Sequence, residues 1–311
     1  MSNNLPIIIS GPTAVGKTAV ALHLAKELNY SIISVDSRQI YKGLNVGTAA
    51  PLGKWQGGKY LVEGVPYYLV DFLDINESFD VSRFISMAGE IAQKEDNKVI
   101  FTGGSGMYLQ NYFCGMDNLP KADLTLRVRL AREADMYGRD ALHKRLQKID
   151  PQSAKEIPYQ NIHRLIRALE IYELTGKPAS VLKSGKLKQE ITKDKAHFFY
   201  LDISKEQLLK RIEKRTDIIF EPMVNEAKTA LNCGYKELAP GLKSLGYPQA
   251  ISYLKGEISK EEAKEQIIIL TRQYAKRQRT WFNRYQEKQT ISCAGKTEEE
   301  IAKEILIALN F

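Results

Sequence analysis

Residues 5–29 read LPIIISGPTAVGKTAVALHLAKELN. A short apolar run, Leu5 to Ser10, has the length and branching of a buried strand. Residues 17–29 carry the spacing of an amphipathic helix. Between them, Gly11, Pro12, Thr13, Ala14, Val15, Gly16, Lys17 and Thr18 match the pattern glycine, four residues, Gly-Lys-Ser/Thr. Each fixed residue has a physical task. The glycines let the backbone curl so that its N–H groups point at phosphate oxygens. Lys17 brings a charge to the outer phosphates, and the Thr18 hydroxyl is placed to hold Mg²⁺. The helix adds its positive end. Strand, loop and helix in this order predict an α/β fold with a P-loop NTPase-like parallel sheet flanked by helices, and a bound di- or triphosphate. The loop does not say which bond of that ligand breaks.

Outward from this stretch, strand and helix alternate. Ser31 to Val35 reads as a second strand ending at Asp36, Tyr67 to Phe72 as a third, and Val81 to Lys94 as a helix. Lys98 to Thr102 is a further strand running into Gly103, Gly104, Ser105 and Gly106. Apolar strands separated by helices imply a parallel sheet covered on both faces, with ligands at the carboxyl ends of its strands. Asp36 and Ser105 fall at such ends. From 121 to 195 the strand signal disappears and helical periodicity takes over, with Gly176 and Pro178 as a stop signal. The lysine-rich stretch 183–195 reads as a solvated hinge or arm. His197 to Ile203 returns to strand character. Ser204 with Gln207, Ser259 with Glu262, and Thr297 with Glu300 have capping-box spacing. The expected organisation is a core over 1–120, a helical insertion domain over 121–195, and the rest of the core with basic C-terminal helices over 196–311.

With 311 residues, 43% hydrophobic and 26% charged, the chain has the length and balance of a globular protein with a substantial core. The expectation is a cytoplasmic protein. No apolar run approaches the length of a membrane span, and MSNNLPIII enters the first strand with no signal segment. Cys114, Cys233 and Cys293 are scattered, which suits a reducing compartment and offers no zinc site. A net charge of +8 favours a polyanionic partner.

Asp36, on its residues alone, suits either a turn cap or a carboxylate that ligates Mg²⁺ or takes a proton. Ser37, Gln39, Tyr41 and Thr48 surround it with hydrogen-bonding groups. Residues 103–106 form a second glycine-rich turn carrying the Ser105 hydroxyl. The strand before it, KVIFT, lacks the terminal acid of an ordinary ATPase. Arg127, Arg129, Arg132, Arg164 and Arg167 lie on helices and read mostly as solvated basic faces. Residues 271–288, TRQYAKRQRTWFNRYQEK, hold six basic residues against Glu287. Ile267, Leu270, Tyr274, Trp281 and Tyr285 make an apolar stripe there, while Arg272, Lys276 and Arg279 share another face suited to a phosphate backbone.

Six segments together resemble the tRNA dimethylallyltransferase family, the isopentenyl-pyrophosphate:tRNA transferases, in its bacterial type. They are GPTAVGKT at 11–18, DSRQIYKGLNVGTA at 36–49, GGSGMYL at 103–109, HRLIRALEIYELTGK at 163–177, LGYPQAISYLKGEIS at 245–259 and TRQYAKRQRTWF at 271–282. The resemblance implies that the phosphate loop holds the pyrophosphate of dimethylallyl diphosphate rather than ATP. The implied acceptor is N6 of adenine 37 in tRNAs reading codons that begin with U, flipped out of the anticodon stem-loop. It implies Mg²⁺ as cofactor, Asp36 as general base, and Ser105 and Arg127 as substrate contacts at the reaction centre. Asp36, Ser37, Arg38 and Gln39 match a tRNA-touching segment, as does Lys243 to Pro248, with Lys243, Gly246 and Tyr247. The helical insertion with Arg164 and Arg167, and the cations Arg272, Lys276 and Arg279, are the further expected tRNA contacts, on a monomeric protein. The sequence departs from the family pattern at Ser105, where threonine is usual, and at Ala50, where lysine is usual. Tyr67-Tyr68 and Glu221-Pro222 also depart from it. Alternatives to the implied reaction are phosphorylation of a small metabolite, prenylation of a free adenine nucleotide, and an RNA-binding protein that uses nucleotide as a switch.

Overall fold

A computed structural model of the chain describes residues 4–186 and 189–310. The chain divides into two compact units, one from the segments up to Phe113 and from Glu190 onward, the other from Cys114–Gln189.

The first unit begins with β1 (Ile7–Ser10), α1 (Lys17–Leu28), β2 (Ser31–Val35), α2 (Asn45–Thr48), β3 (Lys54–Gln56), β4 (Lys59–Val62), β5 (Val65–Tyr68), α3 (Val81–Lys94), β6 (Val99–Gly103) and α4 (Gly106–Cys114). The second unit holds α5 (Leu124–Tyr137), α6 (Arg139–Ile149), α7 (Pro151–Glu156), α8 (Ile162–Thr175) and α9 (Ala179–Leu182). The chain then returns to the first with β7 (His197–Asp202), α10 (Lys205–Asn232), α11 (Tyr247–Leu254), α12 (Lys260–Phe282), β8 (Gln289–Ser292) and α13 (Glu298–Ala308).

The strands form one eight-stranded sheet in the order β3-β4-β5-β2-β6-β1-β7-β8. From β5 to β8 the pairs are parallel, and β3-β4-β5 is an antiparallel extension. The central strands are buried along their whole length, as the apolar runs IIIS and SIISV require of a sheet covered on both faces. Register places the site. Ser10 lies opposite Gly103 on one side and Tyr200 on the other, and Val35 lies opposite Gly103. The chain therefore leaves β1, β2 and β6 at one edge of the sheet, delivering Gly11, Asp36 and Gly104 together.

The structure corrects several local expectations. The strand expected over Tyr67 to Phe72 is Val65–Tyr68, because Leu69 and Asp71 adopt left-handed φ values of 59° and 50° that end extension. The antiparallel extension was not anticipated, although Gly57-Gly58 and Glu63-Gly64, all at positive φ, mark its turns. The three expected caps do start helices: full capping boxes form at Ser259 with Glu262 and at Thr297 with Glu300, and at the start of α10 the Ser204 side chain accepts from the Gln207 amide. The stretch 183–195 is not a free arm throughout. Ile191 is buried, the Lys193 amide donates to Glu287 Oε2 at 2.9 Å, and Glu190 accepts from the Gln286 amide at 3.1 Å; Leu187 and Lys188 of that stretch lie outside the described residues.

The second unit packs Leu130, Leu142, Leu146, Leu165 and Leu169 around its own core. Asp123, Asp150 and Asn161 cap three of its helices, and Gly176 ends α8 in the left-handed conformation expected of a C-terminal glycine. Among the described residues no helix is long and apolar enough to cross a membrane.

Candidate active site

The phosphate loop is a curl whose shape is set by glycine and by neighbours on other elements. Gly16 sits at φ 107°, a conformation that a Cβ would strain, and so lets α1 start directly at Lys17. Lys17 Nζ donates to the carbonyls of Gly11 at 3.0 Å and Pro12 at 2.8 Å, folding the ammonium back over the loop. Two arginines one turn apart on α10 brace the loop from outside. Arg211 donates to Val15 O at 2.9 Å, and Arg215 to Thr13 Oγ1 at 3.3 Å.

The loop forms one wall of a cleft of about 590 Å³, whose other walls include Asp36, Gln39, Thr48, Ala50, Tyr67, Thr102, Gly104, Arg215, Tyr274 and Gln278. Asp36 reaches it from the end of β2. Its Oδ1 accepts from the amides of Arg38 at 2.8 Å and Gln39 at 3.4 Å, so the carboxylate also shapes its own turn. Burial raises its pKa above the usual carboxylate range, against the backbone hydrogen bonds and the charge of Lys17. Burial likewise lowers Lys17 to about 8, with Asp36 opposing the shift and Arg215 adding to it. Gln39 holds this arrangement: it accepts from Ser34 Oγ at 3.0 Å and donates to Ala49 O at 2.8 Å. Behind it, Glu226 of α10 accepts from the amides of Val46 and Gly47 at 2.8 and 3.0 Å and from Tyr247 at 2.7 Å, fixing α2.

The second glycine turn lies beside the first. Ser105 N donates to Val35 O at 3.1 Å. The Ser105 side chain opens into a second cleft of about 410 Å³ with Ser37, Arg38, Tyr41, Phe79, Tyr108, Arg277 and Trp281 in its walls. Gly104, Tyr274 and Gln278 belong to the walls of both clefts. Burial, followed by the charge of Asp36, raises the hydroxyl pKa of Tyr274. Asp36 and Ser105 thus belong to adjoining clefts that share Gly104, Tyr274 and Gln278, the first cleft lined by phosphate-loop residues and the second by aromatic ones.

The remaining expected contacts divide by exposure. On α12, Arg272 and Lys276 are exposed, whereas Arg279 turns inward, pairing with Asp202 and donating to Ile203 O. Lys243 is exposed in a 3-10 turn, but Gly246 and Tyr247 are buried. The Tyr247 hydroxyl is committed to Glu226, so its side chain is a packing element rather than a surface for RNA. The apolar stripe expected here is kept in part: Ile267 and Tyr285 are buried and Leu270, Tyr274 and Trp281 half-buried, while Ala263, Ala275, Gln278 and Phe282 are also buried and Trp281 borders a cleft.

In the second unit, Arg127 grips the fully buried Glu170 through two hydrogen bonds of 2.9 Å. Arg167 donates to the same carboxylate at 2.5 Å and to Pro120 O at 2.7 Å. Burial alone would raise Glu170, but the bonds from Arg127, Arg167 and the Asp123 amide outweigh it and hold the carboxyl below its usual range. Arg164 is exposed. Sequence reading missed Arg211, Arg215, Glu226 and the wall role of Gln278. The i, i+4 spacing of Arg211 and Arg215 was the one available signal, since it places both on one helix face.

An oxygen-donor set suited to Mg²⁺ is present in the first cleft. Thr18 and Asp36 line it, and the buried hydroxyl of Thr102 has no hydrogen-bond partner among the described residues. Among the described residues no group of three or more His, Cys, Asp or Glu forms a metal cage. Such a site suits an ion that keeps several waters and takes its remaining ligands from phosphates.

A family model described as IPP transferase matches residues 39–285, and one described as isopentenyl transferase matches residues 6–60. The tRNA dimethylallyltransferase of Elusimicrobium minutum is 48% identical over 303 residues, covering 96% of this chain and 98% of its own. The solved structure of the tRNA isopentenylpyrophosphate transferase from Bacillus halodurans aligns with a TM-score of 0.67 at 32% identity, covering 98% of this chain and 95% of that one. The corresponding transferase from Staphylococcus epidermidis gives 0.66 at 30% identity, covering 98% of each chain.

Proposed function

The chain belongs to the IPP transferase family, and from that premise we propose that it transfers a dimethylallyl group from dimethylallyl diphosphate to N6 of adenine 37 in tRNAs reading codons that begin with U. The observation that carries this reading is the adjoining of two clefts, one holding the phosphate loop and Asp36 and the other Ser105 and aromatic side chains, with Gly104, Tyr274 and Gln278 common to both. A donor diphosphate fits the first cleft, and a planar base fits the second, whose lining includes the aromatic side chains of Tyr108, Phe79 and Trp281.

The adenine N6 lone pair attacks C1 of the donor. The C–N bond forms as the C–O bond to pyrophosphate breaks, and the leaving group departs with the electron pair. Attack makes N6 cationic, and Asp36, its pKa raised by burial, accepts the N6 proton. Lys17, Arg215 and the loop amides receive the charge developing on pyrophosphate. Thr18 would hold Mg²⁺ beside the diphosphate, where the ion supplies further positive charge. Ser105 orients the acceptor.

Arg38, Lys243, Arg272 and Lys276 are exposed cations of the first unit suited to tRNA phosphates, and Arg164 and the open flank of Arg127 are such groups in the second. Incubation with labelled dimethylallyl diphosphate and unmodified tRNA is expected to label adenine 37. Label appearing in free adenine nucleotide but not in tRNA, or in neither, overturns the reading.

A further inference from the structure

Gln278 lies on α12, far in sequence from both glycine-rich turns, yet it bonds to each. Its Oε1 accepts from the Thr13 amide of the phosphate loop at 2.7 Å, and its Nε2 donates to Gly104 O at 3.3 Å. The residue is 4% exposed. Two further facts show that the space is built around it. A methyl group on Gly104 would collide with Gln278 Nε2, although Gly104 does not take the left-handed backbone that demands glycine. One helical turn on, a methyl group on Gly106 would collide with Trp281.

We propose that Gln278 is a positioning residue that sets the spacing between the donor and acceptor chambers. The inference rests on the prenyl-transfer reading above. A primary amide accepts through its oxygen and donates through its nitrogen, so one side chain can join two backbones at the same time. Here those backbones are the two loops that present the diphosphate and the attacking amine. The strut touches neither reacting atom. Without it each loop keeps its own binding groups, the phosphate-loop amides with Lys17 and Arg215 on one side and Ser105 with the aromatic wall on the other. What is lost is the fixed distance between them. A misplacement of about 1 Å costs up to a hundredfold in rate without a matching cost in binding.

The test compares wild type, Gln278→Met, Gly104→Ala and the double variant with labelled dimethylallyl diphosphate and unmodified tRNA, alongside thermal melts. Gln278→Met removes both bonds at nearly constant volume. Gly104→Ala displaces the amide from the opposite side. Each single variant is expected to lose kcat by roughly 30- to 100-fold, with donor KM and tRNA Kd within about threefold of wild type. Because both act through the same strut, the double variant is expected to be no slower than the slower single one. Should Gln278→Met fail to fold, Gly104→Ala carries the same kcat-against-KM comparison. Unchanged kcat, a loss residing in donor KM, or a double variant whose loss is the product of the singles overturns the proposal. No product from wild type overturns the prenyl-transfer reading and this inference with it, whereas normal variants beside an active wild type overturn the inference alone.

Discussion

The ammonium of Lys17 and the carboxylate of Asp36 line one cleft, and each favours the charged form of the other against the burial that disfavours both. Burial brings Lys17 to about 8 and Asp36 upward, so the pair sits nearer neutrality than ordinary lysine and aspartate do. A bound diphosphate changes the balance. On the proposed reading its negative charge would stabilise Lys17 as the ammonium and make Asp36 hold a proton more strongly, improving the carboxylate as a base when the donor is present.

A pH dependence with a definite sign results. In the free protein Lys17 loses its charge as pH rises through about 8. The donor kcat/KM, which reports the free protein, is expected to fall above that pH. In the complex the diphosphate keeps Lys17 charged, so the basic limb of kcat should lie at higher pH. The acid limb comes from Asp36, which must be deprotonated to act, and should lie above the ordinary carboxylate range. Steady-state kinetics from pH 5 to 10 in a constant-ionic-strength buffer check this; a basic limb at the same pH in both parameters would separate Lys17 from the donor.

Asp36→Asn isolates chemistry from architecture. Asparagine keeps the Oδ1 acceptor that bonds the Arg38 and Gln39 amides but has no basicity. Single-turnover prenylation is expected to slow by about 10²- to 10⁴-fold, while tRNA affinity measured by filter binding stays within about threefold. Equal losses in rate and affinity would make Asp36 a structural turn residue.

The local code of the phosphate loop is legible because it is contiguous: strand, glycine curl, lysine and helix follow one another within 25 residues of chain. Asp36 and Ser105 were legible for a related reason, since the ends of parallel strands fall at one sheet edge whatever the connections between them. Gln278 and Glu226 were not. Each acts through hydrogen bonds to backbone groups far away in sequence, and nothing in an isolated glutamine or glutamate on a helix marks which amides it will meet. Tyr247 failed in the opposite direction. It lies within a stretch expected to touch RNA, but side-chain direction is decided by tertiary packing, and Glu226 draws its hydroxyl inward. Arg279 shows the same limit. It shares a helix face with Arg272 and Lys276, yet the end of β7 supplies Asp202 and so removes it from the solvated row.

Glu170 is expected to carry the stability of the second unit. Its carboxylate is fully buried and accepts from Arg127, Arg167 and the Asp123 amide. Glu170→Gln keeps the shape but cannot accept at both oxygens. Since the two arginines retain partial access to water, the expected cost is about 1–3 kcal/mol in denaturant unfolding rather than the larger value for stranding fully buried charges. The carboxyl is held below its ordinary range when folded, so its stabilisation is complete above the unfolded value of about 4.3 and is lost as pH falls through the folded value. The difference between wild type and Glu170→Gln should therefore be full at pH 7 and shrink in acid. A difference that does not depend on pH would assign the effect to packing.

Ala50 gives the donor cleft a site where charge can be added. The residue lines the cleft with Lys17, Thr48 and Arg215, and its amide donates to Asn45 O at 2.8 Å. The residue is nearly buried and belongs to the same apolar cluster as Tyr60 and Val62, so a lysine stem there has apolar surface to run along while its ammonium enters the open cleft. Ala50→Lys is expected to lower donor KM about three- to tenfold, with kcat within about twofold, because the added charge meets the diphosphate in ground state and transition state alike. The gain should shrink as salt is raised from 50 to 500 mM, since the cleft is open to solvent. An unchanged or higher KM at low salt would mean that the diphosphate lies beyond the reach of residue 50, on the Arg215 side of the cleft.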